Sequence, residues 1–276
     1  MGLGMMGTPM ALNLSRMFPL TVWNRSPAKY PTLTQAGAQI GTTPSQVVEK
    51  SDVIFTMLFD GPAIQSIVDD KFKRAIHGKT LVNTSSVSVE FSCHLADEIR
   101  EAGGEFIEMP VSGSRIPAEQ GQLVGMIAGD PAVAERVKPF VRPITSAAVY
   151  CGPVGLGLKT KYAVNLFLIT LTAGLAESMS LARAQGLDLG AFGDVLNAGP
   201  MASSYSRIKI AKMLEEDWSA QASIKDCYNS TQLIEAASKE AGGQLPLVQA
   251  CSSLYRQAKE LGMGEEDMIA ITKLIK

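Results

Sequence analysis

Histidine is almost missing from this chain: His77 and His94 are the only two in 276 residues. His77 precedes a glycine in a turn-like stretch, and His94 sits in an ordinary helical pattern without a catalytic cluster around it. A hydride enzyme built on histidine is therefore not expected, and any proton donor must be another residue type, with lysine the natural candidate. Cysteine is also sparse. Cys93, Cys151, Cys227 and Cys251 are scattered with no C-x-x-C spacing, so neither a zinc site nor a disulfide frame is indicated. They read as small buried hydrophobes in a reducing compartment. No charged-then-apolar leader is visible, and no uninterrupted apolar run reaches the ~18 residues of a membrane span. The sequence thus reads as soluble and cytoplasmic, with no membrane partner. Neither sign of charge dominates: the net charge is −2 and the pI about 5.8, which leaves no footprint for nucleic acid or an acidic membrane. Repeats and low-complexity segments are absent as well.

What is present is a large apolar fraction, 46%, on a length that allows one large or two ordinary domains. The first half alternates strand-like and helical segments. Helix is expected at about 8–17, 61–76 and 88–102, with short helices starting at Ser26-Pro27 and Thr43-Pro44. Strands are expected at 19–24, 39–40, 52–58, 80–84, 105–109 and 123–128. Strands separated by helices mean βαβ units and a parallel sheet. After Val149-Tyr150-Cys151 strand signals stop. The stretch from about 158 to 185 holds no proline and only Gly174 inside it, so one long helix should leave the first domain. Beyond it, breaks fall at Gly186, Gly190, Gly199-Pro200, Gly242-Gly243 and Gly262. The expected fold class is α/β, a Rossmann-type doubly wound parallel sheet over 1–153, followed by an all-helical domain over 154–276 with a long linking helix.

The opening, Met1-Gly2-Leu3-Gly4-Met5-Met6-Gly7, contains a G-x-G-x-x-G followed by a helical pattern. The chemistry needs this spacing. The first glycine makes a tight turn, the second lets backbone approach a pyrophosphate, and the third lets helix pack on strand, with the pyrophosphate on free N–H groups at the helix start. A plain glycine-rich turn is the alternative, but the strand-like Leu20-Thr21-Val22-Trp23 stands where a second strand belongs. The motif belongs after a buried strand, so a short strand ahead of it is expected in the working protein. Past the second strand, Asn24-Arg25-Ser26 occupies the slot where a carboxylate would bind the ribose 2′-hydroxyl of NAD. Arg25 can clamp a 2′-phosphate and Ser26 can donate to it. NADP is the expected cofactor, with NAD used more weakly because Asn24 can still reach a ribose.

Three further stretches can carry chemistry. Lys161 and Asn165 are four apart and share a helix face, where an ammonium can stabilise and protonate a developing alkoxide; a solvated face is the alternative. Ser112, with the N–H groups of Gly113 and Ser114, follows a strand end and can form a carboxylate nest, unless it is a plain turn. Asn83-Thr84-Ser85-Ser86 ends another strand and either faces the nicotinamide or caps a helix.

In combination these segments resemble the β-hydroxyacid dehydrogenases, a family that includes 3-hydroxyisobutyrate dehydrogenase, tartronate semialdehyde reductase and the glyoxylate/succinic semialdehyde reductases. The resemblance covers nearly the whole chain. It rests on the glycines of 2–7, on Pro110-Val111-Ser112-Gly113, on the G-x-G-x-x-x-K-x-x-x-N from Gly155 to Asn165, and on Ile224-Lys225-Asp226. It implies Lys161 as general acid/base with Asn165 as partner, and Ser112, Gly113 and Ser114 on the substrate carboxylate. It also implies Lys225 in the cleft, near substrate and cofactor, with Gly2, Leu3, Gly4, Met5, Met6, Gly7, Asn24, Arg25, Ser26, Met57, Leu58 and Ser86 at the cofactor. A homodimer or homotetramer, a small carboxylate-bearing substrate and no metal follow from the same resemblance. Many members have glycine where Ser114 stands, two asparagines where Val164-Asn165 stands, and often aspartate in place of Asn83. The run from Pro110 through Leu123 looks most like the glyoxylate/succinic semialdehyde reductase branch, which favours NADPH. The expected activity is NADPH-dependent reduction of a small aldehyde or keto acid. The alternatives are oxidation of a 3-hydroxy acid, or an inactive relative that only binds dinucleotide. Imine reductases share the architecture but commonly replace the lysine.

Overall fold

In a computed structural model, which describes residues 1–275, the chain divides into two compact units, Met1–Lys161 and Tyr162–Lys276. The first unit opens with α1 (Gly7–Ser15) and β1 (Thr21–Val22), then a 3₁₀ turn, Pro27–Lys29, that leads into α2 (Tyr30–Gln35). There follow β2 (Gln39–Ile40), α3 (Pro44–Glu49), β3 (Val53–Thr56), α4 (Gly61–Gln65), α5 (Asp70–Ala75), β4 (Thr80–Asn83) and α6 (Val89–Glu101). It closes with β5 (Glu105–Glu108), β6 (Val111–Ser112), α7 (Arg115–Glu119), β7 (Leu123–Gly129), α8 (Pro131–Val141) and β8 (Thr145–Gly152). Short polar side chains set the helix starts. Thr43, Asp60, Asp69, Ser88 and Asp130 each accept a backbone N–H of the helix that follows, which satisfies donors the helix itself leaves free. This is why the single helix expected over 61–76 is two. Asp69 accepts from the Phe72 N–H at 2.8 Å and starts a new helix, while Ile67 and Val68 between the two are pinned in the core.

The main sheet runs β3-β4-β5-β7-β6, with β8 on the other edge of β7. β3, β4 and β5 are parallel, in register from Val53↔Thr80 and Thr80↔Glu105 onward, and β8 is parallel to β7. β7 itself runs antiparallel to β5 and β6. A parallel neighbour needs a crossover of roughly a dozen residues. Only the short α7 lies between β6 and β7, so the chain returns antiparallel and the sheet is mixed at that end. α1 and α8 pack on the sheet through Met10, Leu14, Val137 and Val141 against Val82, Ile107, Met109 and Ile127, all buried. β1 and β2 form a separate parallel pair. Met1–Leu3 bridges that pair to β3: the Met1 ammonium donates to Phe55 O at 2.6 Å, and the Met57 N–H donates to Met1 O at 2.9 Å. On the other side the Gly2 N–H donates to Trp23 O at 3.1 Å. Among the described residues no strand precedes the glycines, and Met1–Leu3 makes only this short bridge between β1 and β3. A cavity of about 300 Å³ opens beside it, lined by Leu20 and Val22 on one side and by Val53 and Phe55 on the other.

The 29-residue α9 (Leu156–Ala184) starts in the first unit and enters the second. The second unit continues with α10 (Leu189–Ala198), α11 (Ser204–Leu214), α12 (Ile224–Glu240), α13 (Pro246–Glu260) and a 3₁₀ stretch, Met268–Leu274. By length and composition α9 is apolar enough to cross a membrane. Part of it packs within the second unit: Ile169, Ala176, Met179 and Ala182 are buried, Thr172 and Tyr205 share a short hydrogen bond, and the Ser180 hydroxyl donates to Ile275 O at 2.7 Å. Gly186, with φ +72°, ends the helix as expected. Gly190 is not a break, because Asp188 caps α10 by accepting from the Ala191 N–H at 2.7 Å and so draws Gly190 into the helix. Deep in this unit Lys209 Nζ donates to Asp267 Oδ1 at 2.6 Å, with the side chains 2% and 0% exposed. Asp267 also accepts from the Gln221 and Ile269 N–H groups. None of the four cysteines forms a disulfide among the described residues. Cys227 and Cys251 are buried as expected, whereas Cys93 and Cys151 are half-buried.

Candidate active site

Each of the three opening glycines has a different reason to be glycine. Gly2 has φ +89°, and a Cβ there would lie 2.2 Å from Met57 O. At Gly7 a Cβ would lie 2.0 Å from Gly2 O. Both are therefore packing requirements, one of the turn against β3 and one of α1 against the turn. At Gly4, which is exposed, an added Cβ would meet nothing within 4 Å. The chain has no packing need for glycine there. Bare backbone at the entry of a helix is what a pyrophosphate needs, so the turn fits a dinucleotide. Leu3 is buried and can contribute only its backbone, while Met5 is 43% exposed beside the turn.

The turn is held from β1. The Leu3 N–H donates to Asn24 Oδ1 at 2.9 Å, Asn24 Nδ2 donates to Ser26 O at 2.8 Å, and the Tyr30 hydroxyl bridges the Asn24 backbone N–H and C=O. Both ends of the Asn24 side chain are thus engaged within the chain. Arg25 and Ser26 are exposed on the same loop. The second cofactor segment lies alongside. The Leu58 N–H donates to Ser85 Oγ at 2.9 Å, and the Thr84 hydroxyl reaches Thr56 O at 2.7 Å and Met57 Sδ at 3.3 Å. The structure therefore brings together the glycine turn, Met57-Leu58 and the loop carrying Ser86. The cap of α6 is Ser88, so residues 83–86 are a strand-end loop and not a helix cap. Within that loop Asn83 Oδ1 accepts from the Thr56 hydroxyl and the Ser85 N–H, while its Nδ2 is buried without a partner.

Ser112 ends β6, paired with Val124 of β7. Gly113 is exposed at φ +127°, and a Cβ there would lie 2.7 Å from Leu123 Cδ2. Ser114 precedes α7 without capping it, and Arg115 is drawn onto Glu119 at 3.5 Å. Lys161 is 8% exposed on α9. Asn165, one turn on, donates from Nδ2 to Ser230 Oγ at 3.3 Å and has its Oδ1 buried with no partner. Lys225 is the second residue of α12; its Nζ lies 2.5 Å from Glu265 Oε1 in an exposed ion pair. Asp226 serves its own helix, taking the Ser223 hydroxyl at 2.6 Å and returning its N–H to Ser223 Oγ.

One buried acid escaped the sequence reading as a functional residue. Glu108, the last residue of β5, is 0% exposed. It accepts from the Ser92 hydroxyl at 2.5 Å, from the Gly155 N–H at 3.1 and 3.2 Å, and from the Leu158 N–H at 2.8 Å. Burial pushes its carboxyl up from the ordinary range, and these bonds pull it back. The signal was there: a lone acid inside the apolar run Phe106-Ile107-Glu108-Met109. Among the described residues no group of acids, cysteines and histidines could hold a metal.

A glycine turn that enters a helix on an α/β sheet, and a long helix that carries a buried lysine and leads into a helical unit, fit a nicotinamide-dependent oxidoreductase. Comparison with known proteins narrows the class. Residues 1–152 match the NAD binding domain of 6-phosphogluconate dehydrogenase. Residues 155–275 match the family described as NAD-binding of NADP-dependent 3-hydroxyisobutyrate dehydrogenase. The chain is 32% identical to glyoxylate/succinic semialdehyde reductase 1 of Arabidopsis thaliana over 280 residues, covering 100% of this chain and 97% of that one. It is 31% identical to the chloroplastic reductase 2 of the same organism, covering 100% and 78%. A crystal structure of 3-hydroxyisobutyrate dehydrogenase from Salmonella typhimurium superposes with a TM-score of 0.91 at 21% identity, over 99% of this chain and 97% of that chain, which shows a shared fold. The chain belongs to the β-hydroxyacid dehydrogenase family, NAD(P)-dependent oxidoreductases of the 3-hydroxyisobutyrate dehydrogenase type.

Proposed function

We propose that this protein reduces a small aldehyde or keto acid, of the glyoxylate or succinic semialdehyde type, with NADPH preferred over NADH. The observation that carries the reading is Lys161, 8% exposed near the start of α9, with Asn165 one turn further along presenting a buried Oδ1 that has no partner. The work of Lys161 is to hold the substrate oxygen and deliver the proton that turns the developing alkoxide into an alcohol. Asn165, one turn along the same helix, is its partner. Ser112 and the N–H groups of Gly113 and Ser114 take the substrate carboxylate, with Lys225 as a further cation for substrate or cofactor. A nicotinamide dinucleotide, when bound, supplies the hydride. The glycine turn, Met57, Leu58 and Ser86 hold it, and Arg25 with Ser26 favours a 2′-phosphate, since both are exposed after β1 where no carboxylate stands to repel one. The 32% identity to a protein named for glyoxylate and succinic semialdehyde supports the substrate class. Oxidation of a 3-hydroxy acid of the 3-hydroxyisobutyrate kind is the same chemistry reversed, and the family match over residues 155–275 favours it as the second reading.

The same reading has the protein in the cytoplasm as a homodimer or homotetramer. Support for association comes from large apolar side chains left exposed on the helical unit, among them Phe167 at 70%, Leu181 at 60% and Val195 at 70%. The test of function is NADPH consumption with glyoxylate, succinic semialdehyde, tartronate semialdehyde, methylmalonate semialdehyde and one cyclic imine, with NADH in parallel. Turnover of an aldehyde acid with NADPH preferred is expected. Turnover of the imine alone, or equal use of both cofactors, would overturn the reading.

A further inference from the structure

Glu108 deepens that reading. It lies in the first unit together with the first turn of α9, and all three groups bonded to it, through four hydrogen bonds, are donors: one hydroxyl and the backbone N–H of Gly155 and Leu158, the Gly155 N–H shared between both carboxylate oxygens. The first turn of a helix leaves backbone N–H groups without partners, and a neighbouring side chain usually caps them. Here the cap comes from a strand end far away in sequence. Gly157 makes room for it, and Gly155 serves the turn ahead of the helix. A Cβ at Gly157 would stand 2.9 Å from Glu108 Oε1 and 2.7 Å from Met126 O, and Gly155, at φ +95°, would meet Val89 Cγ1 at 2.9 Å. Any side chain at Gly157 would lift the helix off the carboxylate.

Two parts of the proposed site depart from this one residue. Along the chain, Glu108 leads through Met109 and Pro110 to Ser112 and Gly113. Through its hydrogen bonds it grips Leu158, and Lys161 stands one turn further on the same helix. We propose that Glu108 is a positioning residue for the reaction: it fixes the first turn of α9 to the end of β5 and so sets Lys161 relative to the carboxylate cradle at Ser112–Ser114. It touches neither substrate nor cofactor. The inference rests on Lys161 being the proton donor. A neutral glutamine would be cheaper to bury than a carboxylate. Its oxygen, placed at Oε1, can still accept from the Gly155 and Leu158 N–H groups, but its amide nitrogen, placed at Oε2, faces the Gly155 N–H at 3.1 Å donor to donor and weakens the grip.

The test is a double-mutant cycle of Glu108→Gln and Lys161→Ala in the full chain, with NADPH and succinic semialdehyde as the probe. A displacement of about 1 Å can cost on the order of a hundredfold in rate. Glu108→Gln is expected to lower kcat by roughly ten- to a hundredfold, with the NADPH Kd changed less than about twofold. Amide exchange over residues 155–161 should quicken, and Glu108→Asp should restore part of the rate. In the Lys161→Ala background the same change should cost nothing further, because a residue that acts through Lys161 has nothing left to act on. A kcat within about twofold of wild type in folded Glu108→Gln, or an equal loss in both backgrounds, overturns the proposal. Should Glu108→Gln not fold, Ser92→Ala, which removes one bond to the carboxylate and leaves the helix untouched, takes its place in the cycle with the same criteria. Wild-type turnover in Lys161→Ala would instead sink the assignment of Lys161, a separate outcome read from the same cycle.

Discussion

Gly4 and Gly7 stand three residues apart in one motif, and the structure predicts opposite consequences of placing alanine at each. At Gly7 the new Cβ would come within 2.0 Å of Gly2 O and 3.0 Å of Gly2 C, both backbone atoms that cannot swing away. Relief demands that α1 shift by about an ångström against the turn. Overpacking of this kind costs ~1–3 kcal/mol, which at ~2–4 °C per kcal/mol for a chain of this size lowers Tm by about 2–12 °C. At Gly4 the methyl meets nothing within 4 Å, and the gain from a stiffer unfolded chain is at most ~1 kcal/mol. Gly4→Ala should therefore fold at least as well as wild type, yet bind dinucleotide poorly, because the methyl occupies the bare backbone on which a pyrophosphate would rest. A tenfold weaker Kd corresponds to ~1.4 kcal/mol. With cofactor at a hundred times the wild-type Kd, ligand stabilisation falls from ~2.7 kcal/mol to about half of that. The assay is thermal unfolding of the three proteins with and without NADP⁺, paired with fluorescence titration of NADPH. A Gly4→Ala protein with wild-type Kd and an undiminished ligand-induced Tm shift would refute the placement of the cofactor on this turn.

Lys161→Ala should cost roughly 10²–10⁴ in kcat and leave the NADPH Kd nearly unchanged; a kcat close to wild type would exclude it as the proton donor. Arg25→Asp removes a charge-assisted bond worth ~1.5–3 kcal/mol and adds repulsion, so the NADPH/NADH ratio of kcat/KM should fall by at least tenfold, and an unchanged ratio would remove Arg25 from the 2′-phosphate. Asp267→Asn breaks a fully buried ion pair and leaves Lys209 uncompensated, for a loss of about 3–5 kcal/mol of stability measured by urea unfolding; a loss under 1 kcal/mol would show that the pair is idle. Burial raises the Glu108 carboxyl above its ordinary 4.5, and Cys93 of α6 is its titratable neighbour. The folded state thus holds that proton to higher pH than the unfolded chain does, and this group's contribution to stability falls as pH rises from 4.5 through the folded value. Glu108→Gln should flatten that part of the Tm–pH curve, and an unaltered slope would contradict the sign.

The fold was legible where the pattern was long and the neighbours local. The apolar run at 52–58 and the strand pattern at 80–84 became the parallel strands β3 and β4, and a proline-free stretch became the 29-residue α9. Misreadings arose where one polar side chain decides. Asp69 splits a helix by offering its carboxylate to Phe72, and Asp188 draws Gly190 into a helix by doing the same for Ala191. Periodicity does not register a cap that costs one residue. Nor does it register chain direction, which is why β7 reads like any buried strand while running against β5.

The site divides along a similar line. Motifs report which residues must be present, and the glycines of 2–7 and 155–157 stand out in sequence because they are glycine. Sequence does not say which of them a ligand needs and which the protein needs. Only the surroundings of each missing Cβ separate Gly4, where nothing is near, from Gly2, Gly7 and Gly157, where backbone is within 3 Å. The same surroundings disclose Glu108, whose effect is transmitted through main-chain N–H groups that every residue but proline carries and that no residue pattern can encode. A motif such as Gly155-x-Gly157…Lys161 is therefore better understood as the imprint of two partners: the substrate that Lys161 is proposed to meet, and a carboxylate from another strand that Gly157 allows to approach. The second partner explains Gly157, which the chemistry of a lysine does not require, while Gly155 answers to its φ of +95° and to Val89.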